Sequence, residues 1–144
     1  MKKLLRLFEQ HGVQYSLVGG HAVNFYGYVR TTQDMDLLVL PTAENAERVM
    51  EALADYGFGG AGIPRQLFEQ NKGVVHLGAE PNRIDILTSL KGVESREILD
   101  GSHLVEIEGV SVNIIALEDL LRVKRNSDRP RDLADADELA KIND

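Results

Sequence analysis

The chain has 144 residues, a length typical of one domain that buries about two-thirds of its unfolded surface. Its formal net charge of −7 argues against a nonspecific nucleic-acid binder, although a locally basic cleft is compatible with that charge. The sequence has no cysteine, which excludes disulfides and thiolate metal sites, and no apolar run is as long as a membrane span. We therefore expect a single cytoplasmic domain over residues 1–144, with no membrane partner.

Hydrophobic periodicity and turn residues predict the elements along the chain. Helices are predicted near 2–11, 20–27, 43–56, 64–71, 116–125 and 130–142, with weak helical character over 93–99. Strands are predicted near 14–18, 35–40, 73–79, 83–88, 103–107 and 110–114, the last two forming a hairpin. The glycine run 57–62 is typical of a surface loop, and a lid over the substrate is the alternative. The pattern indicates an α+β fold with a mixed sheet flanked by helices.

Two aspartates, Asp34 and Asp36, open the strand predicted near 35–40. Because side chains alternate across a strand, both carboxylates should project from one face, about 6–7 Å apart at two residues of rise. The apolar residues that alternate with them should point into the core. Carboxylate oxygens at this separation suit one or two Mg²⁺ ions that bridge the phosphates of a nucleotide, and Mn²⁺ is an alternative ion.

A third carboxylate, Asp85, lies in the strand predicted near 83–88, where Ile84 and Ile86 alternate with it. If that strand pairs with the strand of Asp34 and Asp36, three carboxylates meet at one edge of the sheet. Close carboxylates raise one another's pKa, so such a cluster is unfavourable without a cation. Asp85 would then complete the metal site; the alternative is an ordinary aspartate that faces solvent.

A glycine pair, Gly19-Gly20, stands between the first strand and the second helix. Glycine lets the backbone approach a phosphate closely, and a helix N-terminus offers free N–H groups to anions. The pair is therefore a candidate cradle for a triphosphate, and a plain tight turn is the alternative. The glycine motifs of P-loop and dinucleotide-binding proteins are absent from the sequence.

Two side chains near this turn have several possible roles. His21 follows the glycines in the first helical turn, where it either contacts a phosphate or only fills space. Arg30 is a candidate for contact with a phosphate, with the carboxylates or with the acceptor, because its planar fork suits phosphate and carboxylate alike. The other histidines lack the i, i+4 spacing of a helical zinc site, so we expect structural or surface roles for them.

These residues resemble the signature of the nucleotidyltransferases of the DNA polymerase beta superfamily. That signature is a glycine pair after an apolar residue, a later Asp-x-Asp and a carboxylate on a neighbouring strand, matched here by Val18-Gly19-Gly20, Asp34-Met35-Asp36 and Asp85. The most similar subgroup is that of the AbiEii-type toxin nucleotidyltransferases, whose Arg-x-Thr-x-Asp-x-Asp run is matched by Arg30, Thr32, Asp34 and Asp36. Their C-terminal lysine and Arg-x-Lys/Arg-Asp element are matched by Lys124 and by residues 129–132. The resemblance extends from about Tyr15 to Leu139.

The resemblance implies a polymerase-beta-like nucleotidyltransferase fold, an NTP substrate and nucleotide contacts from residues that match the motifs, Thr32 and Lys124 included. Taken without the resemblance, the basic residues around Lys124 are equally well explained as an exposed helix end and loop. A homodimer or a cognate partner protein would compensate for the limited room for an acceptor-binding domain.

The sequence thus predicts Mg²⁺-dependent transfer of a nucleoside monophosphate from an NTP to a hydroxyl acceptor, with release of pyrophosphate. The triphosphate would lie on Gly19 and Gly20, and the three aspartates would hold the metals. Asp85 would also accept the proton of the attacking hydroxyl. The acceptor, whether an RNA end, a small molecule or a protein, is left open. The alternative is a non-catalytic nucleotide-binding or toxin–antitoxin partner module of the same fold.

Overall fold

The computed structural model describes residues 2–31, 34–79 and 82–144, so Thr32 lies outside the described residues. The helices are α1 (Lys2–Gln10), α2 (Gly19–Phe25), α3 (Ala43–Leu53), α4 (Ser95–Gly101), α5 (Leu117–Arg125) and α6 (Pro130–Ile142). The strands are β1 (Tyr15–Val18), β2 (Met35–Val39), β3 (Val74–Leu77), β4 (Ile84–Leu87), β5 (His103–Ile107) and β6 (Val110–Ile114). The predicted α+β class is confirmed.

The strands of the described residues form one mixed sheet in the order β3-β4-β2-β1-β6-β5. Strand β1 runs antiparallel to β2 and parallel to β6, whereas β2 and β4 are parallel neighbours. The starts of β2 and β4 therefore lie at the same edge of the sheet as the end of β1. This topology brings the glycine turn after β1 next to the aspartates of β2 and β4, and it meets the condition set for Asp85, that its strand pairs with the strand of Asp34 and Asp36.

The core forms where amphipathic helices cover the apolar side chains of the sheet. In α1, Leu4, Leu5 and Phe8 are buried on one face at helical spacing, and this helix packs against α3 and β6. Phe8 also meets Tyr15 of β1 edge to face, with ring centroids 5.3 Å apart. Burial of these side chains fixes β1, and with it the position of the glycine turn that follows.

The start of α3 locks the β1–β2 pair. Thr42 caps the helix by accepting a hydrogen bond from the backbone N–H of Asn45 at 3.2 Å. Asn45 is buried, accepts from the backbone N–H of Gln14 and donates to the carbonyls of Gln14 and Leu40. These three bonds tie the residue before β1 to the residue after β2, which stabilises the pairing that carries the candidate site.

Several boundaries differ from the sequence prediction for local reasons. The helix predicted over 43–56 is α-helical only as far as Leu53, and a π-helical turn follows over Ala54–Phe58, in which Gly57 has a φ of 105°. The weak helix predicted over 93–99 is α4, and the short helix predicted over 64–71 is a 3₁₀ turn over Arg65–Phe68. No helix among the described residues has the length and apolar character needed to cross a membrane.

Candidate active site

A cavity of about 1030 Å³ opens beside the junction of β1, β2 and β4. Of the residues predicted to form the site, the cavity is lined by Gly19, Gly20, Arg30, Asp34, Asp36, Asp85 and Lys124. His21 is not among the described residues that line it, and neither are residues 57–62, so the placement supports neither a phosphate contact for His21 nor a lid formed by the glycine run. Residues of α5 and α6 also line the cavity, among them Lys124 and Asp132.

The register of β2 against β4 places two carboxylates side by side. Asp36 lies directly opposite Asp85 in the parallel pair, and Val18, the last residue before the glycines, lies opposite Asp36 in the antiparallel pair. Asp34 stands two residues before Asp36 and lines the same cavity. Its Oδ1 atom is buried without a hydrogen-bond partner in the described structure. The three aspartates predicted from the sequence are therefore neighbours.

Asp36 is the carboxylate whose charge is least favoured. Burial is the largest influence, followed by the negative charge of Asp85, and together with Asp34 they raise the pKa of Asp36 to about 6 against the opposing effect of Lys124. A hydrogen bond with Asp85 acts in the same direction, because a protonated Asp36 donates to the neighbouring carboxylate. Asp36 is thus ready to accept either a proton or a cation.

Asp85 has the opposite balance of interactions. Burial acts to raise its pKa, but hydrogen bonds and charge from Arg83 and His76 outweigh burial and hold the pKa below its ordinary value. The guanidinium of Arg83 donates from Nε to Oδ1 at 2.8 Å and from Nη2 to Oδ2 at 3.1 Å, while Nδ1 of His76 lies 2.6 Å from Oδ1. Nη2 of Arg83 also lies 3.3 Å from Oδ2 of Asp34. Arg83 therefore bridges two of the three carboxylates.

Gly19 is required by the close approach of the backbone to Asp36. Its φ is +73°, a left-handed conformation that other residues seldom adopt. A Cβ added at this position would lie 2.9 Å from Cγ of Asp36 and closer still to its Oδ2 atom. The first of the two glycines thus makes room for the Asp36 carboxylate, a role that differs from the phosphate cradle predicted from the sequence and is compatible with it.

Lys124 reaches the cavity from α5 although it is buried, with 7% of its surface exposed. Its Nζ atom donates to Oδ1 of Asp132 at 3.0 Å and lies 3.2 Å from Oδ2 of Asp135. Asp132 also accepts a hydrogen bond of 2.6 Å from Ser127, and these contacts outweigh burial and lower its pKa. The contact between Asp132 and Lys124 joins the two parts of the C-terminal element that the sequence resemblance singled out.

Arg30 pairs with a residue that sequence reasoning missed. Its Nε and Nη2 atoms donate to the two carboxylate oxygens of Asp135 at 3.0 and 2.9 Å, a bidentate pair with a carboxylate that is 1% exposed. The sequence left three contacts open for Arg30, namely a phosphate, the carboxylates and the acceptor. The observed pair is with a carboxylate, but that carboxylate belongs to α6 and is not one of the three aspartates of the sheet. The sequence signal that could have revealed Asp135 is its spacing from Asp132, which places the two aspartates one helical turn apart on α6.

His21 lies in α2 with a buried Nε2 atom that has no hydrogen-bond partner in the described structure. Burial lowers its pKa, against smaller opposing effects of Glu108 and Asp34. The neutral form is therefore favoured; since a neutral imidazole still has one N–H donor, the phosphate contact of His21 stays a prediction. His76, assigned from the sequence to the structural or surface histidines, instead lines the cavity and contacts Asp85.

The donor set of the three aspartates fits a divalent cation. Carboxylate oxygens are the ligands that Mg²⁺ and Mn²⁺ prefer, Oδ1 of Asp34 is buried without a partner, and Asp36 is destabilised by its neighbours' charge. In the arrangement described, no three His, Asp or Glu side chains of the described residues are grouped so as to hold an ion. Arg83 contacts both oxygens of Asp85, so an ion bound by Asp85 would compete with these contacts.

Comparison with known proteins decides the family. Residues 1–144 match the family described as "Nucleotidyl transferase of unknown function (DUF2204)". The chain belongs to this nucleotidyltransferase family. The prediction from the sequence resemblance, that this chain is an enzyme of the nucleotidyltransferase type, is thereby confirmed. No protein with a curated description matches the chain.

Solved structures share the fold of this family member. A Thermotoga maritima protein provisionally assigned as a nucleotidyltransferase has a TM-score of 0.62 at 12% identity, over 96% of this chain and 87% of that one. The lincosamide antibiotic adenylyltransferase LnuA, solved with lincomycin bound, has a TM-score of 0.55 at 18% identity, over 96% and 92%. The protein ANT(2″)-Ia, solved with adenylyl-2″-tobramycin, has a TM-score of 0.57 at 16% identity, over 98% and 85%. At these identities the similarity shows the fold alone.

Proposed function

We propose that this protein transfers a nucleoside monophosphate from an NTP to a hydroxyl acceptor and releases pyrophosphate, with Mg²⁺ as the metal and Mn²⁺ as a substitute. The observation that carries the proposal is the register that sets Asp36 against Asp85, with Asp34 beside them and Gly19 in contact with Asp36. Asp34 and Asp85 already share Arg83, but the charge of Asp36 at this crowded sheet edge is costly unless a further cation is bound. A metal–nucleotide complex would supply that cation together with the substrate.

Each residue of the site has a defined task in this reaction. Asp34, Asp36 and Asp85 would hold the metal, and the backbone at Gly19 and Gly20 would approach the triphosphate. When bound, a divalent ion of this kind neutralises phosphate charge and stabilises the entering and leaving oxygens of an in-line displacement. The acceptor oxygen forms a bond to the α-phosphorus, and the bond from that phosphorus to the oxygen of the β-phosphate breaks, so pyrophosphate leaves with the electron pair. Asp85 remains the predicted acceptor of the hydroxyl proton, although Arg83 and His76 lower its pKa and Asp36 is the more basic of the two carboxylates.

Lys124 brings a positive charge to the part of the cavity that α5 and α6 line. An ammonium group has three N–H donors, and its contacts with Asp132 and Asp135 engage two of them. The third remains for an anionic ligand in the cavity, such as an NTP phosphate. Thr32, which the family resemblance also implicates in nucleotide binding, stays a candidate outside the described residues.

The chemistry of the acceptor stays open between an RNA end, a small molecule and a protein hydroxyl. LnuA was solved with lincomycin and ANT(2″)-Ia with adenylyl-2″-tobramycin, so two proteins of this fold act on or bind hydroxyl-bearing antibiotics. For this chain we propose a single cytoplasmic domain over 1–144 that works with a second copy of itself or with a partner protein when the acceptor requires it.

The proposal is tested by supplying each of the four NTPs, α-labelled, with Mg²⁺ and with each acceptor class, and by measuring transfer of the label and release of pyrophosphate. We expect Mg²⁺-dependent transfer that Asp36→Asn abolishes and that Asp137→Asn, an exposed position on α6, leaves unchanged. Calorimetric titration with NTP and Mg²⁺ separates the alternatives. Binding without transfer to any acceptor would indicate the non-catalytic module, and no NTP binding in Mg²⁺ or Mn²⁺ would refute the proposal.

A further inference from the structure

Asp135 is the most deeply buried acidic side chain near the cavity, yet it does not line the cavity itself. Its Oδ2 atom contacts two cations from distant parts of the chain, Nη2 of Arg30 at 2.9 Å and Nζ of Lys124 at 3.2 Å. Its Oδ1 atom accepts a third charged contact, from Nε of Arg30 at 3.0 Å. One carboxylate on α6 thus contacts both the loop after α2 and the helix α5.

Asp135 differs from a residue in an ordinary ion pair, because one of its oxygens contacts two cations. Arg30 and Lys124 lie close together because both contact Oδ2, and they would repel each other without the charge between them. Lys124 would then keep only Asp132, whose side chain is 20% exposed against 2% for that of Asp135. Loss of the Asp135 charge should therefore leave the ammonium held by one partly exposed carboxylate, and free to move from its present position at the cavity wall.

The same carboxylate also anchors the segment that leads to the Asp-x-Asp strand. With Nε and Nη2 held by Asp135, Nη1 of Arg30 donates to the carbonyl of Thr31 at 3.3 Å. Arg131 of α6 donates to the same carbonyl at 3.4 Å. The backbone three residues before Asp34 is thus tethered to α6 through side chains that Asp135 and its helix hold in place.

We propose that Asp135 is a positioning residue of the nucleotide site, which fixes the Lys124 ammonium at the cavity wall by holding it and Arg30 on one carboxylate. This inference rests on the proposed function, because it assigns the correctly placed Lys124 to NTP binding. It also assigns Arg30 a scaffolding role, so that arginine is not a phosphate ligand. Asp135 acts through Lys124 and touches no substrate.

A double-mutant cycle tests this assignment. Asp135→Asn is made in the wild-type protein and in a Lys124→Met background, and the affinity for each NTP with Mg²⁺ is measured by calorimetry alongside unfolding in urea. Asp135→Asn should weaken NTP binding about tenfold in the wild-type background, the size expected for a displaced charged contact, and less than about twofold when Lys124 is already absent. Stability should fall in both backgrounds. Asp137→Asn on the same helix is the matched control and should change neither quantity.

Asp135→Glu provides a second test if the asparagine variant does not fold. The longer side chain keeps the charge but moves it, so stability should largely recover while the weakening of NTP binding persists in the wild-type background only. In parallel, the Arg30 Nε–H signal in nitrogen-15 spectra should exchange slowly with water in the wild type and rapidly in Asp135→Asn, with no nucleotide present.

The outcomes distinguish the inference from the proposed function. If the wild-type protein binds NTP and Asp135→Asn weakens that binding equally in both backgrounds, or in neither, the positioning role is overturned. The proposed function is unaffected by that result. An Arg30 Nε–H signal that is unaffected by Asp135→Asn overturns the role as well. If the wild-type protein binds no NTP although the Arg30 signal responds as expected, the proposed function fails and the link from Asp135 to nucleotide binding fails with it.

Discussion

Replacing Asp36 by Asn should stabilise the metal-free protein at neutral pH and change its stability little in acid. Asp36 is buried beside two other carboxylates, and its pKa is raised from 3.8 to about 6. Between these two values the folded protein binds more protons than the unfolded chain does. The free energy of unfolding of the wild type therefore falls as the pH rises through this window.

The size of the effect follows from the shift. Two pKa units correspond to about 3 kcal/mol, at about 1.4 kcal/mol per unit, and this is the penalty that the ionised Asp36 imposes above about pH 6. Asparagine has nearly the same shape and carries no charge, so Asp36→Asn avoids the penalty. The stability advantage of the variant should rise from near zero at about pH 4 to about 3 kcal/mol at about pH 8.

The measurement is urea unfolding of both proteins in a chelator, at several pH values between about 4 and about 8, with the free energies extrapolated to water. Asp137→Asn serves as the control, because its exposed position on α6 lies outside the carboxylate cluster. Addition of Mg²⁺ should then stabilise the wild type more than Asp36→Asn, since the variant lacks one proposed metal ligand.

A stability difference between Asp36→Asn and the wild type that does not depend on pH would refute the reasoning from a buried, repelled charge. A variant that is less stable than the wild type at about pH 8 would refute it more directly. That result would mean that the charged form of Asp36 has a compensating partner, and Lys124, the one group found to lower its pKa, would be the first to examine.

Two further substitutions should show effects that the same geometry predicts. Asp85→Asn should destabilise the protein at neutral pH, opposite in sign to Asp36→Asn. The lowered pKa of Asp85 reflects stabilising contacts that are present above its unfolded pKa and lost as the pH falls. Urea unfolding at several pH values measures this effect, and a neutral or stabilising effect at neutral pH would contradict the prediction. Gly19→Ala should lower the free energy of unfolding by at least about 2 kcal/mol more than Gly12→Ala does. Both glycines have positive φ, but only a Cβ at Gly19 meets the Asp36 carboxylate. Equal losses of stability in the two variants would exclude that contact.

Much of the fold could be predicted from local patterns. The hairpin over residues 103–114 and the helix that begins at Pro130 match their predicted bounds, because a turn pair and a proline in the first helical turn are local signals. The boundary at Leu53 was missed because the helical pattern continues into residues that instead form a π-helical turn before Gly57. Periodicity reports which face is apolar and is insensitive to a change in the hydrogen-bonding pattern of the last turn.

The candidate site divides in the same way. Asp34 and Asp36 were found because alternation along one strand fixes which side chains share a face. The neighbouring position of Asp85 was a conditional prediction, and the pairing of β2 with β4 confirmed it. The role of His76 was missed, although it lies directly opposite Asp85 in the antiparallel β3–β4 pair and could have been found by counting the register across the turn between them.

What the sequence determined by itself is the chemistry that this protein can offer: a glycine turn, three aspartates on strands and a lysine at the edge of a helix. The tertiary structure alone decided which charges neutralise one another. Arg83 engages Asp34, 49 residues earlier in the chain, and Asp135 holds Arg30 and Lys124 together although more than 90 residues of chain separate Arg30 from them. Local sequence cannot specify such pairs, because the energy of a charge depends on its burial and on partners that only the packed chain brings within a few ångströms.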